Sequence, residues 1–398
     1  MTSAGLPFTP PAVALTQELR WVLGRAFGPT QGPWRGALDG AEALRLAGAL
    51  CLADRIGARV APPPLLAELG REAALSLSAG RLATMARMRR LIALIPDLAS
   101  LAAAEGVPVV LVKFAGLHAG GHLAEGARSA SDLDLLLRPD DATRAFETLR
   151  GRGWLVSEVM TADHHLPPLL DDKGRLVELH THLPGLAVPG TRRFAGFDAL
   201  LDAGALEPAP GLGPYVHLLR RAPMVAHLVA HGLAHHGGAD AYPVTRMLGD
   251  VIDLLPGRLE AGLGEAREWM SGVSAAEVEA VATLCEALEN GALEGMDTVN
   301  GGRPAELLLR HVLAGALDPG YRSGLVVAHV LRPLTDEPRW WKMLKTVRRA
   351  AFPPRAQLAA RMGGASRGGR LRRRLAHAAA FAGHVSRLAL NAIRGHPS

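Results

Sequence analysis

The chain has 398 residues, 48% of them hydrophobic and only 4% aromatic, with 44 Lys and Arg against 38 Asp and Glu. This is globular composition, long enough for two or three domains, and no apolar run reaches the roughly 18 residues of a membrane span. Two cysteines, Cys51 and Cys285, lie in expected helices without metal-site spacing, which excludes a disulfide framework and favours a reducing cytoplasm. No basic segment followed by an apolar stretch marks a signal peptide. The net charge of +6 conceals an asymmetry: Pro338 to Ser398 holds 14 Lys and Arg and no acid, leaving 30 bases against 38 acids elsewhere, a net −8.

In chain order, residues 1–104 read as a helical region. A helix is expected around Val13–Phe27, and an amphipathic one over 41–59 that Pro62-Pro63-Pro64 breaks. A helical stretch over Leu65–Glu105 follows, with a split near Gly80, a kink at Pro96 and an apolar stripe of Met85, Met88, Leu91, Leu94 and Leu98. The pattern then changes to a mixed α/β core over 105–185. Val107–Phe114 is a buried, Val-rich strand ending near Lys113, a short helix follows, and Asp132–Leu137 is a second strand. Pro139 opens a helix through Arg150, with acids in its first turn. Trp154–Met160 and Arg175–His182 are further strands, the latter preceded by an Asp172-Lys173-Gly174 turn. From Pro184 a helical domain is expected to about residue 335. It includes Pro214–His236, kinked at Pro223, and Thr245–Leu255. Basic helices make up the tail over 336–398. The fold class is therefore α+β: a small mixed sheet between helical segments.

Three acids carry the chemistry. Successive strand residues point to opposite faces, so Asp132 and Asp134 share one face while Leu133 and Leu135 enter a core. Asp is disfavoured in strands, and two flanking a Leu in an apolar run need a reason. Glu178 lies 44 residues after Asp134 in Leu176-Val177-Glu178-Leu179-His180 and joins them if the two strands are neighbours. Crowded carboxylates repel, and a hard divalent cation such as Mg²⁺ relieves them while sharing its ligands with phosphates. Lys113 is placed to touch phosphate, and Arg128 to clamp phosphate or to pair with Glu125. His180 and His182 share the Glu178 face, and His164-His165 lies in a loop. His227, His231 and His235 are four residues apart and share a helix face. That spacing can bind Zn²⁺, but no Glu follows His227 as a zinc protease requires. The alternatives are a polar stripe against Arg246, Asp250 and Asp253, or the lining of a cleft opposite the sheet.

The ordered set Lys113, Arg128, Asp132, Asp134, Glu178 and His180, from Val109 to His182, resembles the bacterial uncharacterised nucleotidyltransferase family of the polymerase-β-like superfamily. His227, His231, Arg246 and Asp250 match a His-rich helix and a following Arg and Asp that recur in that family. The resemblance implies transfer of a nucleoside monophosphate from NTP to an acceptor hydroxyl of a small molecule, peptide or protein. It implies two Mg²⁺ ions on Asp132 and Asp134, with Glu178 binding one and helping to deprotonate the hydroxyl. The superfamily cradles triphosphate on a Gly-Ser or Gly-Gly turn. Here the turn reads Lys113-Phe114-Ala115-Gly116, and Gly120-Gly121 follows, so Gly116, Gly120 and Gly121 are the candidate phosphate glycines. The departure keeps a second reading open, in which the chain is a degenerate nucleotidyltransferase fold that binds a peptide, RNA or membrane through its basic tail. The tail suits an anionic partner but lacks interleaved aromatics for base stacking.

Overall fold

The computed structural model describes residues 10–29, 34–157, 164–191, 194–235, 241–292, 304–318 and 321. The expected basic tail, 336–398, lies outside the described residues, as do residues 158–160 of the strand expected over Trp154–Met160. Six helices precede the sheet: α1 (Gln17–Phe27), α2 (Gly40–Ala49), α3 (Ala53–Arg59), α4 (Pro62–Leu69), α5 (Arg71–Ile92) and α6 (Ile95–Glu105). Next come β1 (Val109–Val112), α7 (Lys113–Ala119), β2 (Asp132–Leu136), α8 (Pro139–Gly151), β3 (Leu155–Val156), β4 (Leu169–Leu170), β5 (Leu176–His180), β6 (Leu183–Ala187), β7 (Phe194–Ala195), α9 (Phe197–Asp202), β8 (Leu206–Pro208) and β9 (Val216–Leu219). The last helices are α10 (Arg221–Ala230), which runs into a π-helical turn at His231–His235, α11 (Ala241–Leu254), α12 (Leu259–Arg267), α13 (Ala275–Glu289) and α14 (Pro304–Leu317).

The main sheet has the order β3-β4-β5-β2-β1-β9-β8. β2 runs parallel to β5 and β1 parallel to β9, while β1 and β2 are antiparallel. All four residues of β1 are buried because helices cover both faces of the sheet centre. On one face Leu111, Leu133, Leu135, Val177, Leu179 and Val216 pack with α5, α6 and α8 through Met88, Leu98 and Leu149. On the other, Val110, Val112 and Leu136 join the larger core built by α1–α4 and α10–α14. Alternation along β2 therefore directs Asp132 and Asp134 toward this second, helical side.

Several expectations are corrected. The helix expected over 41–59 divides at Leu50-Cys51-Leu52, where Cys51 takes a left-handed φ of 56°. The split expected at Gly80 falls at Gly70, whose φ of 78° suits only glycine readily; Gly80 stays inside α5. The break expected at Pro96 comes just before it, at Ala93-Leu94, because Pro96 sits in the first turn of α6. β1 ends at Val112, not at Phe114. The return to helix after Pro184 is delayed, since β6, β7, β8 and β9 intervene. Val216–Leu219, read as part of a helix over Pro214–His236, pairs with β1, so the sheet draws two strands from beyond residue 185. Pro223 then lies in the first turn of α10, where it breaks no hydrogen bond. Among the described residues no helix is long and apolar enough to cross a membrane.

A buried carboxylate fastens the N-terminal helices. Glu68 accepts from Trp21 Nε1 at 2.8 Å, from the Trp34 amide at 3.0 Å, and from the Arg25 guanidinium, with Arg25 and Glu68 side chains 5% and 6% exposed. Removing one partner of such a pair leaves a buried charge. Glu68→Ala is expected to lower stability by about 3–5 kcal/mol in urea unfolding, without changing cation binding at the sheet.

Candidate active site

The parallel pairing of β2 with β5 puts Asp134 opposite Glu178 and Leu136 opposite His180. Asp134, Glu178 and His180 each present a ligand atom, and these atoms all lie within 4.8 Å of one another. His180 Nε2 is 2.9 Å from Asp134 Oδ1 and 3.4 Å from Glu178 Oε2. Its other ring nitrogen, Nδ1, is buried with no hydrogen-bond partner among the described residues. Lys113 donates from Nζ to Asp134 Oδ1 at 2.7 Å. Two carboxylates and an imidazole nitrogen at this spacing fit a divalent cation. The oxygens suit Mg²⁺, and the nitrogen extends the range to Mn²⁺.

The electrostatics follow from burial and charge. Burial alone would push the Asp134 carboxyl up, but Lys113 and His180 outweigh it and hold the group well below the usual carboxylate range. Burial opposes charging of Lys113 and His180 as well, and in both cases the surrounding acids win and raise the pKa. Asp132 goes the other way: burial, then the charges of Asp134 and Glu178, lift it to about 6 against the pull of Lys113. Asp132 thus belongs to the same electrostatic unit, although the group within mutual ligand distance comprises Asp134, Glu178 and His180.

Lys113, expected to end a strand, opens α7 with a φ of 49°. A left-handed lysine is strained, and strain of this kind gathers at functional sites. The ion pair to Asp134 holds it there. Arg128 donates from Nε to Asp250 Oδ2 on α11 at 2.9 Å and lies 5.8 Å from the centre of the Phe114 ring. The partner weighed for it, Glu125, pairs instead with Arg89. Arg246, one turn before Asp250, is pushed down to about 9 by burial and by Arg128, while Asp250 and Asp132 support its charge. The face of α11 that carries Arg246 and Asp250 thereby communicates with Asp132 on the sheet. His227 is fully buried, with its ring 5.9 Å from that of His231; neither belongs to the cation-ligand group found among the described residues. The His235 side chain lies outside the described residues.

The candidate glycines divide. A Cβ on Gly116 would come within 2.6 Å of the Leu111 carbonyl oxygen and 2.8 Å of Met224 Cε, so this glycine lets α7 pack onto β1 and α10. A Cβ on Gly120 would meet the His122 ring at 2.8 Å, whereas Gly121, at φ 72°, faces open space. The ring assembly around His180 escaped the sequence reading. His164 stacks on His180 at 5.3 Å, and His165, read as a loop residue, forms a β-bridge with His180. The alternation of Glu178, His180 and His182 was the available signal; the return of His164 and His165 onto that face was not encoded locally.

Residues 36–256, more than half of the chain, match the model of a family described as "uncharacterised nucleotidyltransferase". The match takes in the whole main sheet and reaches past α11. No curated protein and no solved structure matches the chain.

Proposed function

The chain belongs to the uncharacterised nucleotidyltransferase family, and on that premise we propose that it moves a nucleoside monophosphate from an NTP to an acceptor hydroxyl and releases pyrophosphate. The observation that carries this reading is the convergence of Asp134, Glu178 and His180 within 4.8 Å on adjacent parallel strands. Asp132, Asp134 and Glu178, joined by His180, are the residues that would hold Mg²⁺. Bound there, the cation supplies positive charge against the charge that develops on the transferring phosphoryl group. The chain's own residues do the rest. Lys113 and His180 keep Asp134 ionised and fixed in place. The Lys113 ammonium and the Arg246 guanidinium add positive charge beside the acids. Glu178, with its side chain 19% exposed, is the carboxylate open to the acceptor and takes the proton of its hydroxyl.

The test is incubation with each NTP, Mg²⁺ or Mn²⁺ and candidate hydroxyl acceptors, read by pyrophosphate release and by the mass of the product. Transfer that survives Asp132→Ala and Asp134→Ala would sink the proposal. One observation favours the degenerate reading: Gly116 is used up by packing, and the turn after β1 offers a strained lysine where the superfamily has its glycine turn. In that case NTP binding, followed by thermal shift, is insensitive to the same two substitutions. The role of the basic tail belongs to that second reading.

The raised Asp132 sets a pH dependence. A proton on Asp132 competes with the cation below about pH 6, so cation affinity should climb as the pH rises toward 6, and climb again at higher pH where His180, whose pKa is also raised, gives up its proton; titration calorimetry reads both limbs directly. Asp132→Asn should flatten the lower limb and leave the His180 limb in place. In the cation-free protein the sign for stability is opposite. The folded chain keeps a proton on Asp132 that the unfolded chain releases, so the contribution of Asp132 to stability falls as the pH rises from 3.8 to about 6.

A further inference from the structure

A line of rings leads away from the acidic centre. His164 lies on His180 at 5.3 Å and 29°, His182 is 6.1 Å from His164, and Phe194 stacks almost flat on His182, at 5.8 Å and 9°. Phe194 ends this line 47% exposed, an unusual position for a phenylalanine. Beyond it opens a cleft of ≈ 510 Å³ lined by Arg138, Thr181, His182, Phe194, Phe197 and Asp198. Volumes of this order accept small ligands. Arg138, just past the end of β2, sits 4.5 Å over the Phe197 ring and donates to Asp198 at 2.6 Å. The cleft thus combines a flat, solvent-facing ring with a guanidinium, a hydroxyl and a carboxylate at its edges.

We propose that this cleft binds the base of the nucleotide donor, which stacks against Phe194 and His182. The inference rests on the function proposed above and adds where the donor's ring goes. Two features argue for it. The cleft begins at Thr181, the residue after His180, which ends β5 and belongs to the cation-ligand group, and the line of rings runs from His180 into it, the path a molecule with its phosphates at Asp134 and Glu178 would follow. Its walls also match a base, with an aromatic face for stacking and Arg138, Thr181 and Asp198 to bond to ring edges. Stacking on an exposed ring is tolerant of base identity, so the four NTPs should differ less from one another than each differs from a phosphate chain alone.

The experiment is calorimetric titration of the full chain with Mn²⁺ present, using each NTP and, separately, inorganic tripolyphosphate. Phe194→Ala should weaken every NTP about tenfold and leave tripolyphosphate unchanged, and Phe194→Trp should restore NTP affinity. Phe194 is half exposed, so a matched thermal midpoint is expected and checks that the variant is folded. Equal NTP affinities in wild type and Phe194→Ala, with tripolyphosphate still bound, overturn the base cleft alone. If wild type binds neither NTP nor tripolyphosphate, the nucleotide-donor reading fails and the cleft assignment falls with it. If Phe194→Ala leaves NTP untouched but weakens an aromatic hydroxyl acceptor, the cleft belongs to the acceptor and the proposal is wrong.

Discussion

Asp134→Asn is expected to lower the rate of nucleotidyl transfer about a thousandfold and to abolish measurable cation binding, because the electrostatic support at stake is worth several kcal/mol. Asp134 is 3% exposed and its Oδ1 atom serves both Lys113 and His180. An asparagine oxygen still accepts those hydrogen bonds but cancels neither charge. Lys113 then keeps its burial without its principal counter-charge, and its ammonium releases its proton more readily. Some stability should be lost for the same reason, so binding must be compared on protein shown to be folded by circular dichroism. Glu178→Gln supplies the control: its side chain is more exposed and touches His180 at 3.4 Å, so it should impair transfer with a smaller loss of stability. An Asp134→Asn enzyme that works within tenfold of wild type would remove the acidic cluster from the chemistry altogether.

What the sequence revealed here follows the range of the forces involved. The side-chain period of two placed Asp132 and Asp134 on one side of β2 and Glu178 with His180 on one side of β5, and the parallel pairing of β2 with β5 makes these a single face of the sheet. The short contacts within that face depend on register, which sequence alternation does not specify; the bond between His180 and Asp134 exists because Leu136 falls opposite His180. β9 was hidden for a different reason. Its four residues Val216–Leu219 sit between a Pro and a long helical pattern, and pairing with β1, more than 100 residues earlier in the chain, and with β8 makes them a strand. Local glycine signals misled in the same way. Gly80 lies within a 22-residue helix whose packing outweighs its modest cost, whereas Gly70 is placed where the backbone needs a positive φ. The partner of Arg128 is 122 residues away on α11, so no spacing rule identifies it.

That long-range pair carries the second large effect. Asp250→Ala is expected to destabilise the fold by about 3–5 kcal/mol, read as the midpoint shift in chemical denaturation. The Arg128 and Asp250 side chains are 8% and 3% exposed, and Arg246 lies close enough to both to share their field. Burial raises the Asp250 carboxyl while Arg128 and Arg246 pull it down, so the acid stands between two buried cations. Without it, Arg128 keeps an uncompensated buried charge, because its guanidinium stays protonated at neutral pH. Breaking a buried pair differs from replacing it, so Arg128→Met combined with Asp250→Leu should recover much of the loss, and the double-mutant cycle should show strong coupling. The consequence extends to the site. Arg128 lies four residues before Asp132, and its tie to α11 fixes the entry of β2. In Asp250→Ala the charge of Arg246 is no longer offset by Asp250 and acts more fully on Asp132. The Asp132 carboxyl should then fall below its raised value of about 6, moving the lower limb of the cation-affinity profile downward. A stability loss with no such movement would make the pair a structural brace alone, without influence on the acids of the sheet.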